Sequence, residues 1–169
     1  MHTDRKVRPR IKLKPGATDI ILEKLALACL ISVFLMPAIY YQQLPESIPR
    51  HFDGEGLPDG YSHKSIIWLF SVIGAAMYIG LKWLSSYPHI FNYPVKITEQ
   101  NAERCYKLGV RMIRIMNLSI SGMMAYIIYV TLHIALGHQQ SLGQYFLPLI
   151  LMLLLSTCIY FIYQMSNAE

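Results

Sequence analysis

His51, Asp53, Asp59 and His63 crowd into one short polar stretch, and theirs are the side chains in this sequence best suited to chemistry. Imidazole nitrogens and carboxylate oxygens bind divalent cations such as zinc or manganese. A cation held by these four would acidify a bound water, with Glu55 close in sequence as the base that takes its proton. An HxD pair followed at loose spacing by Asp and His is, however, a weaker pattern than a closed zinc motif. The same stretch has a reading that needs no metal. Gly54, Gly56 and Gly60 permit tight turns, Pro58-Asp59-Gly60 is a turn tripeptide, and the Asp53 and Asp59 carboxylates bond nearby backbone amides. His51 and Lys64 then bond loop carbonyls, and Phe52 packs on the structure beneath. On this reading, which accounts for more of the residues, His51, Phe52, Asp53, Gly56, Pro58, Asp59, Gly60, Tyr61 and Lys64 organise a small cap or bind a ligand on it.

The cap must be held by what flanks it, and both flanks are apolar enough to cross a bilayer. With 54% hydrophobic and only 15% charged residues, the chain departs from soluble proteins in both directions. Four apolar runs, about 25–41, 65–84, 115–136 and 145–165, each approach the length a spanning helix needs. The expected fold class is all-α: an integral membrane four-helix bundle, residues 25–169, with an ordered extracytoplasmic loop 42–64 between the first two helices. A basic leader 1–24 precedes it, and a cytoplasmic connection 85–114 joins helices two and three. The first run ends in Met36-Pro37-Ala38-Ile39-Tyr40-Tyr41 without a small-x-small cleavage pattern, so it is read as a permanent helix.

All of the 15 lysines and arginines except Arg50 and Lys64 fall in the leader, at Lys24, or around the connection from Lys82 to Arg114. Short basic segments resist translocation, which assigns both termini and the connection to the cytoplasm and the loop 44–64, with the Gly137 to Gln144 turn, to the outside. Tyr40, Tyr41, Tyr61, Trp68, Tyr145 and Phe146 then line the outer boundary, and Trp83, Tyr87, Tyr160 and Tyr163 the inner one. The expected partner of the basic leader is anionic lipid; no nucleic acid is expected.

The connection reads as structured. Thr98 is placed to cap a helix, and Glu99, Glu103, Arg104, Lys107, Arg111 and Arg114 share one side of it while Ala102, Cys105, Leu108, Met112, Ile113 and Met116 fill the other. This amphipathic helix, residues 98–116, either lies at the membrane or bundle base or docks a cytoplasmic protein. Three cysteines, with no CxxC or Cys/His spacing, read as packing residues. His133, one turn after Tyr129 near the end of the third run, reads as a hydrogen-bonded structural histidine. Glu23 and Lys24 reach headgroups or pair with neighbours. No phosphate loop, dinucleotide fingerprint, GxSxG elbow or HExxH motif is present in the sequence.

The order Leu44, Pro45, Ile48, Pro49, His51, Phe52, Gly56, Pro58, Asp59, Gly60, Tyr61, Lys64 resembles the signature of a bacterial membrane family of unknown function. The domain of that family also forms the N-terminal part of SdpI-type immunity proteins. The connection NYPVKITEQNAERCYKLGVRMIR looks like that of stand-alone members. The resemblance implies a multi-pass protein of the bacterial cytoplasmic (inner) membrane and a role in toxin immunity or signalling, without the further C-terminal membrane domain of the immunity proteins. The expectation is therefore a non-enzymatic envelope sensing, immunity or signalling module that meets an extracytoplasmic peptide or small ligand through loop 44–64. No cofactor is expected. The alternative is a metal-dependent membrane enzyme whose divalent cation sits among His51, Asp53, Asp59 and His63.

Overall fold

The computed structural model describes residues 8–168. Among them are four helices long and apolar enough to cross a membrane: α1 (Ala17–Tyr40), α2 (Ile66–Ser85), α3 (Ala102–Ala135) and α4 (Phe146–Ser166). The chain is a multi-pass membrane protein. The large apolar side chains it leaves exposed along these helices, such as Ile21, Ile79, Leu149 and Leu155, face where lipid lies.

The expectation of an all-α chain is corrected by a two-stranded antiparallel hairpin, β1 (Ser47–Phe52) and β2 (Pro58–His63), between α1 and α2. Prolines and glycine inside both strands argue against strand on propensity. They are tolerated because the pair is all edge, and because its register slips twice, between Pro49 and His51 and between His51 and Phe52. Arg50 and Asp59 are the residues skipped.

Two further boundaries move. The first span starts at Ala17 rather than at 25, because the acids that seemed to end it are accommodated within the helix. Asp19 accepts from the Gly16 amide at 2.9 Å, capping the first turn, and also meets Arg111 from α3. Residues 17–24 of the leader are thus helical; its residues 1–7, with Arg5 and Lys6, lie outside the described residues, as does Glu169. The amphipathic segment feeds directly into the third span, as its pattern implies: α3 begins at Ala102, four residues later than expected, and runs unbroken for 34 residues. Such a helix is about 51 Å long, against a hydrocarbon core of about 30 Å, so one end must stand clear of the lipid tails. Thr98 does cap it. Its hydroxyl accepts from the Asn101 amide while Asn101 Oδ1 accepts from the Thr98 amide.

The buried side of α3's first turns is also rotated from expectation. Tyr106, Gly109 and Val110 join Ala102, Cys105 and Ile113, while Leu108, Met112 and Met116 are only half-buried. The cause is the chain's own leader and connection, whose Ile11, Leu13, Tyr93, Val95 and Ile97 cover that side together with Ala168. Gly109 is what admits them, since a Cβ there would stand 3.0 Å from the Tyr93 hydroxyl and 3.1 Å from the Phe91 ring. Ile11 and Ala168 meeting in one cluster puts the start of α1 and the end of α4 at the same end of the molecule, called here the basic end.

At the other end, Val33, Leu44, Ile48, Ile67, Met124, Ile128 and Leu132 form the core that seats the hairpin. Burying a side chain like Ile48 is worth about 1.5–3 kcal/mol. Between the ends, α1, α2 and α3 are stitched by polar contacts: Ser71 donates to the Val33 carbonyl at 2.8 Å and Asn117 to that of Tyr78 at 3.2 Å. The fourth helix leans on α3, with only Phe161 and Met165 buried.

Candidate functional site

The hairpin is a folded unit fastened at three places. At its root, Glu46 receives Lys64 at 3.1 Å and His63 Nε2 at 2.9 Å. The Lys64 hydrogen bond first, then its charge, and after those His63, hold the Glu46 carboxyl below the usual glutamate range. Lys64 also lies 5.4 Å from the centre of the Tyr41 ring and reaches the Leu44 carbonyl. Ile48 and Pro49 form the buried side of β1, and Tyr61, opposite Pro49, stays exposed.

At the tip, the Asp53 carboxylate accepts from the amides of both Glu55 and Leu57 at 2.9 Å, and the Asp53 amide donates to the Leu57 carbonyl. This is the turn-forming role expected of that aspartate. Gly56 follows with a φ of 81°, a left-handed backbone that a side chain would strain, and is itself buried. Its carbonyl accepts from the Leu142 amide at 2.8 Å, tying the tip to the turn between α3 and α4. A Cβ on Gly56 would come within 3.1 Å of the Gly143 oxygen and of Leu142 Cβ.

Halfway along, between the two register slips, His51 Nδ1 meets Asp59 Oδ1 at 2.6 Å. Gly60 lies opposite His51, and Pro58 opposite Phe52. The structure therefore pairs His51 with Asp59 but sends Asp53 to the tip and His63 to Glu46 and Ser65. Among the described residues no group of three or more His, Cys, Asp or Glu side chains is placed to hold a metal ion. Glu55 stands exposed.

Beneath the tip lies a cleft of about 360 Å³. Phe52, Phe70 and Phe146 supply its aromatic wall, Met124 and Ile127 its floor, and Arg50, His51 and Asp53 its polar rim. Four secondary elements thus contribute: β1, α2, α3 and α4. Phe70, Leu142, Gly143 and Phe146 were missed by the sequence reading, which took the α3–α4 segment as a plain turn. The signal was the glycine pair Gly137 and Gly143, both of positive φ, which shape that turn toward the hairpin.

At the basic end a second set of side chains comes together that sequence spacing did not pair. Arg114 bridges Glu23 at 2.8 Å and Asp19 at 3.5 Å, Arg111 holds Asp19 at 3.1 Å, and Lys82 approaches Glu23 at 3.8 Å. Asp19 is nearly buried, so its two arginines are what make its charge tolerable there.

Residues 27–75 match the family model described as Domain of unknown function (DUF1648). The matched segment takes in most of α1, the hairpin, and α2 as far as Ala75, so its centre is the capped unit just described. No curated protein and no solved structure matches the chain.

Proposed function

We propose that this protein is a non-enzymatic, membrane-embedded binding module of the bacterial envelope, which senses an amphipathic extracytoplasmic ligand through its hairpin and serves signalling or immunity. The cleft beneath the hairpin tip carries this reading. Sites for small ligands are mostly apolar with a few placed polar groups, and this one joins an aromatic wall to a rim of Arg50, His51 and Asp53. A peptide or small molecule with an apolar anchor and a polar head fits that division. The hairpin faces outward and both termini face the cytoplasm on this reading, following the distribution of Lys and Arg. The apolar face of the first turns of α3 is already covered by the chain itself, so a cytoplasmic partner would meet the exposed Glu103, Arg104 and Lys107 instead.

The test is binding of a fluorescent, dodecanoylated tetrapeptide to the full chain in neutral nanodiscs, read by polarisation. Phe52→Ala and Phe70→Ala should each weaken it roughly tenfold, the loss of a buried aromatic contact of about 1.4 kcal/mol, while Trp83→Phe at the far end should not. Equal affinity in all four proteins would remove the cleft as the site.

One contact favours the second reading, a metal-dependent enzyme. Asp59 engages Nδ1 of His51 and leaves Nε2 open, the arrangement by which a carboxylate orients a metal-binding imidazole. Stoichiometric zinc or manganese in the purified protein, lost with the fold retained in both His51→Ala and Asp59→Ala, would promote it over the binding module.

A further inference from the structure

A cleft of about 410 Å³ opens at the basic end between the leader, α1, α2 and α3. Its charged lining is Lys12, Lys82, Arg114 and Glu23. Glu23 is shared by Arg114 and Lys82, and Asp19 by Arg114 and Arg111; with Lys12 added, four cations stand against two carboxylates, so the cleft stays positive. Lys12 is exposed and forms no ion pair among the described residues. The remaining walls, Ile11, Leu13, Pro88 and Val110, are apolar, with the Ser85 and Ser86 hydroxyls at the edge.

The depth of this cleft follows from an independent feature. Trp83 and Tyr87 flank it in sequence, both exposed, with ring centroids 4.9 Å apart. Exposed tryptophan and tyrosine at a helix end mark the headgroup level of a bilayer. On the lipid side of that level, Ile79 of α2 and Leu25 and Leu27 of α1 are exposed apolar groups suited to acyl chains. A positive pocket with apolar walls, opening between membrane helices at headgroup depth, has the chemistry of a phosphate-bearing lipid head.

We propose that this cleft is a binding site for the phosphate of an anionic phospholipid, with Lys12 and Lys82 as its principal ligands and Arg114 held ready by Glu23. The proposal is independent of what binds under the hairpin. Arg114 has its guanidinium divided between Glu23 and Asp19, so it sets the shape of the cleft more than it recognises phosphate. Lys12 has no acid partner among the described residues, and Lys82 meets Glu23 only at 3.8 Å, a contact a phosphate can compete with.

Full chain purified in dodecyl maltoside is titrated separately with phosphatidylglycerol, phosphatidylcholine and inorganic phosphate. Bound lipid is counted by native mass spectrometry. One phosphatidylglycerol should be retained in preference to phosphatidylcholine. Lys12→Gln and Lys82→Gln should each lower its affinity roughly fivefold, the factor that corresponds to about 1 kcal/mol per basic residue near an anionic surface. Lys82→Arg should restore binding, and Lys64→Gln at the hairpin should leave it unchanged. Equal retention of phosphatidylcholine, or wild-type affinity in the Lys12→Gln, Lys82→Gln double variant, overturns the site. Displacement of the lipid by low-millimolar inorganic phosphate overturns its lipid source in favour of a soluble anion.

Discussion

The Gly56 carbonyl accepts a 2.8 Å hydrogen bond from the Leu142 amide, and across that bond the hairpin and the α3–α4 turn become one outer layer over the bundle. Two residues of no chemical reactivity thus close the cleft that the reactive-looking residues only rim.

Substituting Gly56 should accordingly do more harm than substituting any titratable residue of the loop. Gly56→Val combines a φ of 81° with a clash against the Gly143 backbone, and should cost about 2–4 kcal/mol. Gly60→Val meets only His51 Cβ at 3.3 Å, with no left-handed backbone, and should cost about 1 kcal/mol. The exposed Glu55→Gln should stay within about 0.5 kcal/mol. Thermal unfolding in detergent gives the order; a hairpin that is merely a flexible loop would give three equal values.

The root of the hairpin should be sensitive to acid. Because Lys64 depresses the pKa of Glu46 in the folded state, the stabilisation is complete above the unfolded-state value and disappears as pH falls through the lower folded-state value. The difference in melting temperature between wild type and Glu46→Gln should therefore be present at neutral pH and shrink as the pH falls below the ordinary glutamate range. A gap that widens with acid would reverse the assigned sign.

At the basic end, the two arginines on Asp19 should not be equivalent. The Arg114 side chain is 17% exposed and serves two acids, whereas that of Arg111 is 43% exposed and serves one. Arg114→Gln takes a mostly buried cation from two acids at once, leaving Asp19 to Arg111 and Glu23 to Lys82, and should cost about 2 kcal/mol; Arg111→Gln should cost about 1 kcal/mol. Equal losses on thermal unfolding would mean that burial does not govern this network.

Orientation is checked by labelling. In a background with Cys29, Cys105 and Cys158 replaced, single cysteines at Glu55 and Gln140 should react with an impermeant maleimide in whole cells, and one at Thr98 should not. Labelling confined to Thr98 would invert the molecule.

The four spans were legible because hydropathy is summed over twenty residues and needs no knowledge of partners. Asp53 as a turn former was legible for the opposite reason: it acts on amides within a few residues of itself. What could not be read was long-range. Asp19 fell within the basic leader 1–24 rather than in the first helix, because Arg111, which neutralises it, is 92 positions away. The strands were hidden by Pro49, Pro58 and Gly60, residues that propensity forbids and that only a bulged, two-stranded sheet accepts. His51, Asp53, Asp59 and His63 looked like one set because they are near in sequence, but a hairpin sends neighbours to opposite faces and to opposite ends.

No proline interrupts α3, and it reaches from Arg114 in the ion-pair network to Ile128 in the core under the hairpin. Those residues are about 21 Å apart along a single rod, so a tilt of about 6° moves one by about 2 Å relative to the other. A shift of that size would carry a 2.8 Å ion pair beyond 4 Å. The third helix is therefore one rod that carries both the floor under the hairpin, Met124 and Ile128, and Arg114 at the lysine-lined cleft, so a tilt of it would change both ends together.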